Sequence, residues 1–369
     1  MNRLFRWDQM GLFLLALAAG ILPFAVPEVC AAALREGLTL CSGPLLLSLF
    51  PFLVVSRLLI QCPESDLLAL PFRLAAWGIG IRTPCAARVL CIGFLGGFAP
   101  AASAAAQAVR TGQLTAEEAD ALLPACICSG PSFVVLTVGQ SLLGSAELGV
   151  LLFASQITAN YLTAALLNRF AGVRSVKPGS AAQASPAPPR LDEILADAAI
   201  TYCKLCGFIL FFRMLAAGAG ALLPAGAGTL CSILLEVCSG CDLASRTGRW
   251  GSLLCCAALS VQGLSVLLQV RTICPPEMTL RPLYRARMLH LPLSLALFYL
   301  LLPGGEADVF STLPARVFLM RRVPPDCALL VFAVCCMAAC TLRSGIRQVE
   351  QKQMARNAGG CCINSKTLL

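Results

Sequence analysis

Residues 119–143 are apolar over a length that would cross a bilayer, which takes ~20 residues as a helix. Yet near the middle of that run stands Cys126-Ile127-Cys128-Ser129-Gly130-Pro131-Ser132-Phe133. Ser-Gly-Pro-Ser makes a poor helix interior, because glycine costs backbone entropy and proline removes a donor and clashes with the preceding turn. Inside lipid, the freed backbone groups must be met by protein, water or a bound solute. A second break, Val261-Gln262-Gly263-Leu264-Ser265, stands at the middle of residues 250–273. Two polar, broken helices at corresponding places in two halves of a membrane protein point to a solute site near the midplane.

Composition narrows the class. The 369 residues are 58% hydrophobic and only 13% charged, against roughly a quarter charged in soluble domains, so the expectation is an all-α polytopic membrane protein. A formal charge of +9 comes with no basic face or aromatic-basic module, so nucleic acid is not an expected partner. Most of the 21 cysteines lie inside apolar runs, beside a single histidine and without paired knuckles at zinc spacing. They read as small polarisable core residues, and neither a metal nor a cofactor is expected.

Taken in order, residues 1–36 read as a first transmembrane helix and connector, with a signal peptide as the alternative reading of the same stretch. Residues 37–168 form a first repeat. It holds a span at 38–60, an interfacial helix at 66–82, a hairpin tipped at Gly96-Gly97-Phe98-Ala99-Pro100, the first broken helix and a closing span. One close-packed helix of small residues is the alternative to the hairpin. Thr115-Ala116-Glu117-Glu118 is a capping box. Residues 169–193 are a cytoplasmic linker rich in Ser, Ala, Pro and cations. Residues 194–303 repeat the order of features, with Glu236-Val237-Cys238-Ser239-Gly240-Cys241-Asp242 in the hairpin slot. Residues 304–343 supply a loop and a last transmembrane helix, and 344–369 a basic cytoplasmic tail. The expected architecture is about eight spanning helices plus two re-entrant helical hairpins in an inverted repeat. With both ends inside, most Lys and Arg fall on the cytoplasmic side, including Arg271, Arg281, Arg285 and Arg287.

Candidate solute contacts follow from polarity within apolar runs. Arg213 lies deep in its span, where a cation pairs, lines water or binds an anion; a structural ion pair with Glu236 is the competing reading. Arg57 echoes it in the first half, or snorkels. Ser129, Ser132, Gln262, Ser265 and Gln269 offer neutral hydrogen bonds beside the breaks at Gly130 and Gly263, or serve as interhelical glue. Half-helix N-termini at the breaks would present free N–H groups to an anion. His290 reads as a packing residue rather than a proton relay. Neither a nucleophile–base pair nor paired carboxylates stand out, and no enzyme is expected.

These residues carry a resemblance. Gly37-Leu38-Thr39 with Ser48-Leu49-Phe50-Pro51-Phe52, Ser129-Gly130-Pro131-Ser132-Phe133, Leu235-Glu236 with Ser239-Gly240, Gly263-Leu264-Ser265-Val266 with Gln269, and Ala286-Arg287-Met288-Leu289-His290 stand in that order. The chain resembles the sporulation integral membrane protein family YlbJ/SpoVV, within the nucleoside-recognition or Gate group, which is similar to concentrative nucleoside transporters. The resemblance implies transport of dipicolinate, a flat aromatic dianion, across the outer forespore membrane of a spore former. It implies a small-molecule anion and the lipid bilayer as partners, and leaves an oligomer open. A nucleoside-recognising gate or sensor without transport, or a structural sporulation membrane protein, are the alternatives. The hairpin tip departs from the family pattern, lacking its Tyr hydroxyl and its Lys.

Overall fold

The computed structural model describes residues 2–62, 65–171 and 190–302, and among these there is helix and no strand. Most of the linker, the last transmembrane helix expected at 326–342 and the basic tail lie outside the described residues. Three helical stretches are long and apolar enough to cross a membrane: Ala146–Ala171, Leu191–Leu222 and Gly248–Ile273. A fourth is added if Phe13–Ala25 and Pro27–Ser42, bent by 109°, count as one span. The surface fits that class, with Phe24, Phe170, Met288 and Leu300 all largely exposed. In water such a surface would associate; in lipid it carries no penalty.

Prolines and glycines set the helix ends. The first helix, α1 (Asn2–Ala25), gives way to α2 (Pro27–Ser42) and α3 (Pro44–Gln61), each of the latter starting on proline. Proline suits that position, since its missing N–H would be unpaired there anyway. The expected span at 38–60 is therefore two helices, divided at Gly43, because Pro44 cannot continue the helix that precedes it. Pro51 is carried inside α3. Residues 66–82 form two short helices, α4 (Ser65–Leu68) and α5 (Leu70–Gly78), with Leu70, Leu74 and Trp77 exposed.

Next come α6 (Pro84–Gly96) and α7 (Phe98–Arg110), which fold back on each other about Gly97. A Cβ on Gly93 would lie 3.2 Å from that of Ala101, so the arms pack with no room for a larger side chain at this point. A nearly all-alanine face on α7 (Ala101, Ala102, Ala104, Ala105, Ala108) permits it, and this small-residue surface is buried. α8 (Ala116–Cys126) starts on the expected capping box: Thr115 Oγ1 accepts from the Glu118 N–H at 3.1 Å, and Glu118 accepts from the Thr115 N–H at 3.2 Å. After a break the chain resumes as a wide-wound π-helical stretch, Ser132–Leu142, then turns into α9 (Ala146–Ala171).

The second half begins with α10 (Leu191–Leu222). A second folded-back pair follows, α11 (Ala225–Leu235) and α12 (Val237–Ser245), turning at Glu236. A Cβ on Gly240 would meet the Ile233 Cα at 2.8 Å, so here too glycine lets the arms close. α13 (Gly251–Val261), α14 (Gly263–Ile273) and α15 (Arg281–Leu301) complete the described chain. The halves are tied by Asp120 of α8. Its carboxylate accepts from the Thr279 N–H at 2.8 Å and the Leu280 N–H at 3.1 Å, capping α15 from outside its own sequence.

Candidate solute site at the two helix breaks

Each break is held by the tip of the hairpin in its own half. In the first, α8 ends at Cys126, and Ile127 takes extended backbone. Pro131 restarts the chain in helical conformation. Gly97, at φ +80°, lies against this segment: a Cβ there would sit 2.7 Å from the Gly130 nitrogen and 3.2 Å from the Cys128 carbonyl. In the second, Gln262 and Gly263 both adopt left-handed backbone, at φ 65° and 70°. A Cβ on Gly263 would meet the Glu236 nitrogen and the Leu235 carbonyl at 3.0 Å. Left-handed backbone at a non-glycine residue costs about 1–3 kcal/mol and persists only where the surroundings hold it.

The two breaks touch. Gln262 Nε2 donates to Ser129 Oγ at 3.3 Å and to the Leu259 carbonyl at 2.6 Å, while its Oε1 is buried without a partner. Arg287 of α15 joins the same place from the side. Its guanidinium donates to the Ile127 carbonyl at 2.5 Å and the Ser260 carbonyl at 3.2 Å. Ile127 follows the end of α8 and Ser260 lies in the last turn of α13, so one cation serves two helix C-termini, where the backbone dipoles leave negative charge. Arg287 is buried, forms no ion pair among the described residues, and keeps an unpartnered Nε.

Beside the junction runs a buried polar stripe on α9: Gln156, Asn160 and Thr163, at helical spacing. Gln156 Nε2 donates to Ser260 Oγ at 3.0 Å, its carbonyl meets His290 Nε2 at 3.2 Å, and Ser260 is hydrogen-bonded to Ser294. Asn160, with both amide atoms unpartnered, and Thr163 Oγ1, also unpartnered, are almost fully buried. An unmet buried polar group costs about 1–3 kcal/mol. Such groups on the interior faces of α9, α14 and α15 are of the kind that ordered water or a polar solute satisfies.

The candidates read from the sequence thus separate. Ser129, Gly130, Gln262 and Gly263 are brought together, and Ser265 and Gln269 continue along the buried face of α14, with Gln269 Nε2 donating to Ser265 Oγ at 2.9 Å. Glu236 stands at the hairpin tip against Gly263, where its carboxylate accepts from the Cys238 and Ser239 N–H groups at 2.8 and 2.7 Å. It is a helix cap. Arg213 forms its ion pair with Glu36 of α2 at 2.8 Å and not with Glu236, although Glu236 and Cys238 of the second hairpin tip lie within electrostatic reach of it. Ser132 is exposed, because the chain has already resumed helix there and turned it outward. Arg57 lies in a separate pocket with Asp197. His290 is buried in the polar stripe. Arg287, expected among the cations of the cytoplasmic side, is buried at the junction, since α15 starts six residues earlier and carries it inward. Gln156, Asn160, Thr163 and Ser294 were not singled out by sequence.

The cysteines Cys126, Cys128, Cys255 and Cys256 are buried and unbridged, and no cluster able to hold a metal is present among the described residues. No protein-family model matches this chain, and no curated protein or solved structure matches it.

Proposed function

We propose that the chain is a membrane transporter that passes a small organic anion through the junction of its two helix breaks by alternating access. The observation that carries the reading is the Gln262–Ser129 contact at 3.3 Å between segments 133 residues apart, with the buried Arg287 hydrogen-bonded to a carbonyl beside each break. Broken helices meeting in a protein interior are the usual way to hold a polar guest inside a bilayer. The helix starts at residues 132 and 263 and the buried Arg287 favour negative charge.

In this reading the folded-back pairs α6–α7 and α11–α12 are re-entrant hairpins entering from opposite sides. The two halves form an inverted repeat, and the spans number about eight once the segment at 326–342 is counted. The sequence resemblance described above supports dipicolinate as the anion and the outer forespore membrane as the location. The test is uptake of labelled pyridine-2,6-dicarboxylate by proteoliposomes containing the purified chain. Saturable uptake that Gly263→Leu abolishes supports the proposal. Saturable binding without uptake points instead to a gate or sensor, and neither binding nor uptake to a structural protein.

A further inference from the structure

Away from the junction, a pocket of about 130 Å³ opens between α3, α7, the first half of α10 and the end of α14. Its polar lining includes Arg57, Ser103, Arg110, Asp197, Lys204 and Thr272, three cations facing one carboxylate. Arg57 is 8% exposed and forms the floor. Its guanidinium donates to Ser103 Oγ and Thr201 Oγ1, each at 3.2 Å, and pairs with Asp197 at 2.8 Å. The Asp197 side chain is 63% exposed, so this carboxylate reaches in from the rim and can leave. Arg110 and Lys204 are exposed and form no ion pair among the described residues.

A recess with this charge excess collects oxyanions, and an arginine already shaped around one carboxylate accepts another in the same fork geometry. A polar stripe on α14 runs inward from the pocket. Thr272 lines the pocket; Gln269, Ser265 and Gln262 follow it toward the break at spacings of three, four and three, which is one face of α14. On that face Gln269 Oε1 is a buried acceptor that no protein group meets.

We infer that this pocket is a loading site for a small carboxylate or phosphate. The oxyanion takes Arg57 from Asp197, is held by Arg110 and Lys204, and then moves along the polar face of α14 to the breaks. Only the onward movement rests on the transporter reading; the binding is independent of it.

The experiment is calorimetric titration of the full chain in neutral detergent with pyridine-2,6-dicarboxylate and, separately, with inorganic phosphate. Arg110→Gln/Lys204→Gln, exposed positions whose change leaves the melting temperature in place, weakens binding by roughly tenfold, the order expected for two charge contacts in a water-open site. Asp197→Asn tightens binding by removing the internal competitor. Unchanged affinity in the double variant, or weaker binding in Asp197→Asn, overturns the inference. Repeating the titration in nanodiscs with and without phosphatidylglycerol identifies the source of the oxyanion. Competition by the lipid assigns the pocket to a headgroup, and its absence to a free solute. Binding that follows this pattern with no flux in proteoliposomes leaves the pocket standing and removes the transporter reading.

Discussion

The two breaks make the same contact with opposite means. In the first half the hairpin tip supplies the glycine: Gly97 has positive φ and presses on Gly130, whose own Cβ position makes only ordinary contacts, the nearest at 3.5 Å. In the second half the break supplies it: Gly263 is left-handed and presses on the tip, where Glu236 sits in extended backbone and caps the helix that follows. What is shared is the approach of two backbones, and glycine stands on whichever side must take the strained conformation. A glycine inside a broken apolar run is therefore no guide to which residue the contact needs.

That asymmetry can be broken experimentally. The largest effect is expected at Gly263→Ala and Gly97→Ala. Each adds about 1–3 kcal/mol of positive-φ strain to a Cβ that strikes backbone at 3.0 Å and 2.7 Å respectively. Both should lose most uptake in proteoliposomes and melt at lower temperature. Gly130→Ala, in the same break, should keep both nearly intact, and equal damage at Gly130 and Gly97 would contradict the comparison.

Next is Arg287→Met, which leaves the Ile127 and Ser260 carbonyls without this donor, at about 1–3 kcal/mol for each unmet group. It should lower the melting temperature and abolish flux, with Arg287→Lys recovering part of the stability. Glu236→Ala should cost about 0.5–2 kcal/mol, the range for a lost N-cap, read as a thermal shift; Glu236→Gln, which keeps one acceptor oxygen, should cost less. The smallest effect belongs to Arg213→Ala. Its partner Glu36 is 65% exposed, and such pairs contribute about 0–1 kcal/mol, so uptake should remain close to that of the unaltered chain.

Much of this was visible in the sequence, and the misses have physical causes. The breaks at Gly130 and Gly263, the turns at Gly97 and Glu236 and the capping box at Thr115 were legible because proline, glycine and capping side chains act locally. The partner of Arg213 is not legible, because its position in a span says that it needs one and not which; Glu36 lies 177 residues away. Arg287 is masked by Arg281 and Arg285, which group it with the cytoplasmic-side cations. Its signal was the buried stripe Leu283, Ala286, Arg287, His290 and Ser294 at helical spacing. Gln156, Asn160 and Thr163 carry the same kind of signal on α9, where a polar stripe in an apolar helix marks an interior face. The division at Gly43 was overlooked because the apolar run around it is continuous.

The most direct test is accessibility at the junction itself. In a cysteine-free chain carrying Ser129→Cys, the rate of alkylation by a small charged thiol reagent is measured in membranes, with and without pyridine-2,6-dicarboxylate. The account predicts that the thiol reacts, that the anion slows it, and that Gly263→Leu removes the protection. A thiol that never reacts from either side, or reacts at the same rate with the anion present, would contradict a solute route through the breaks.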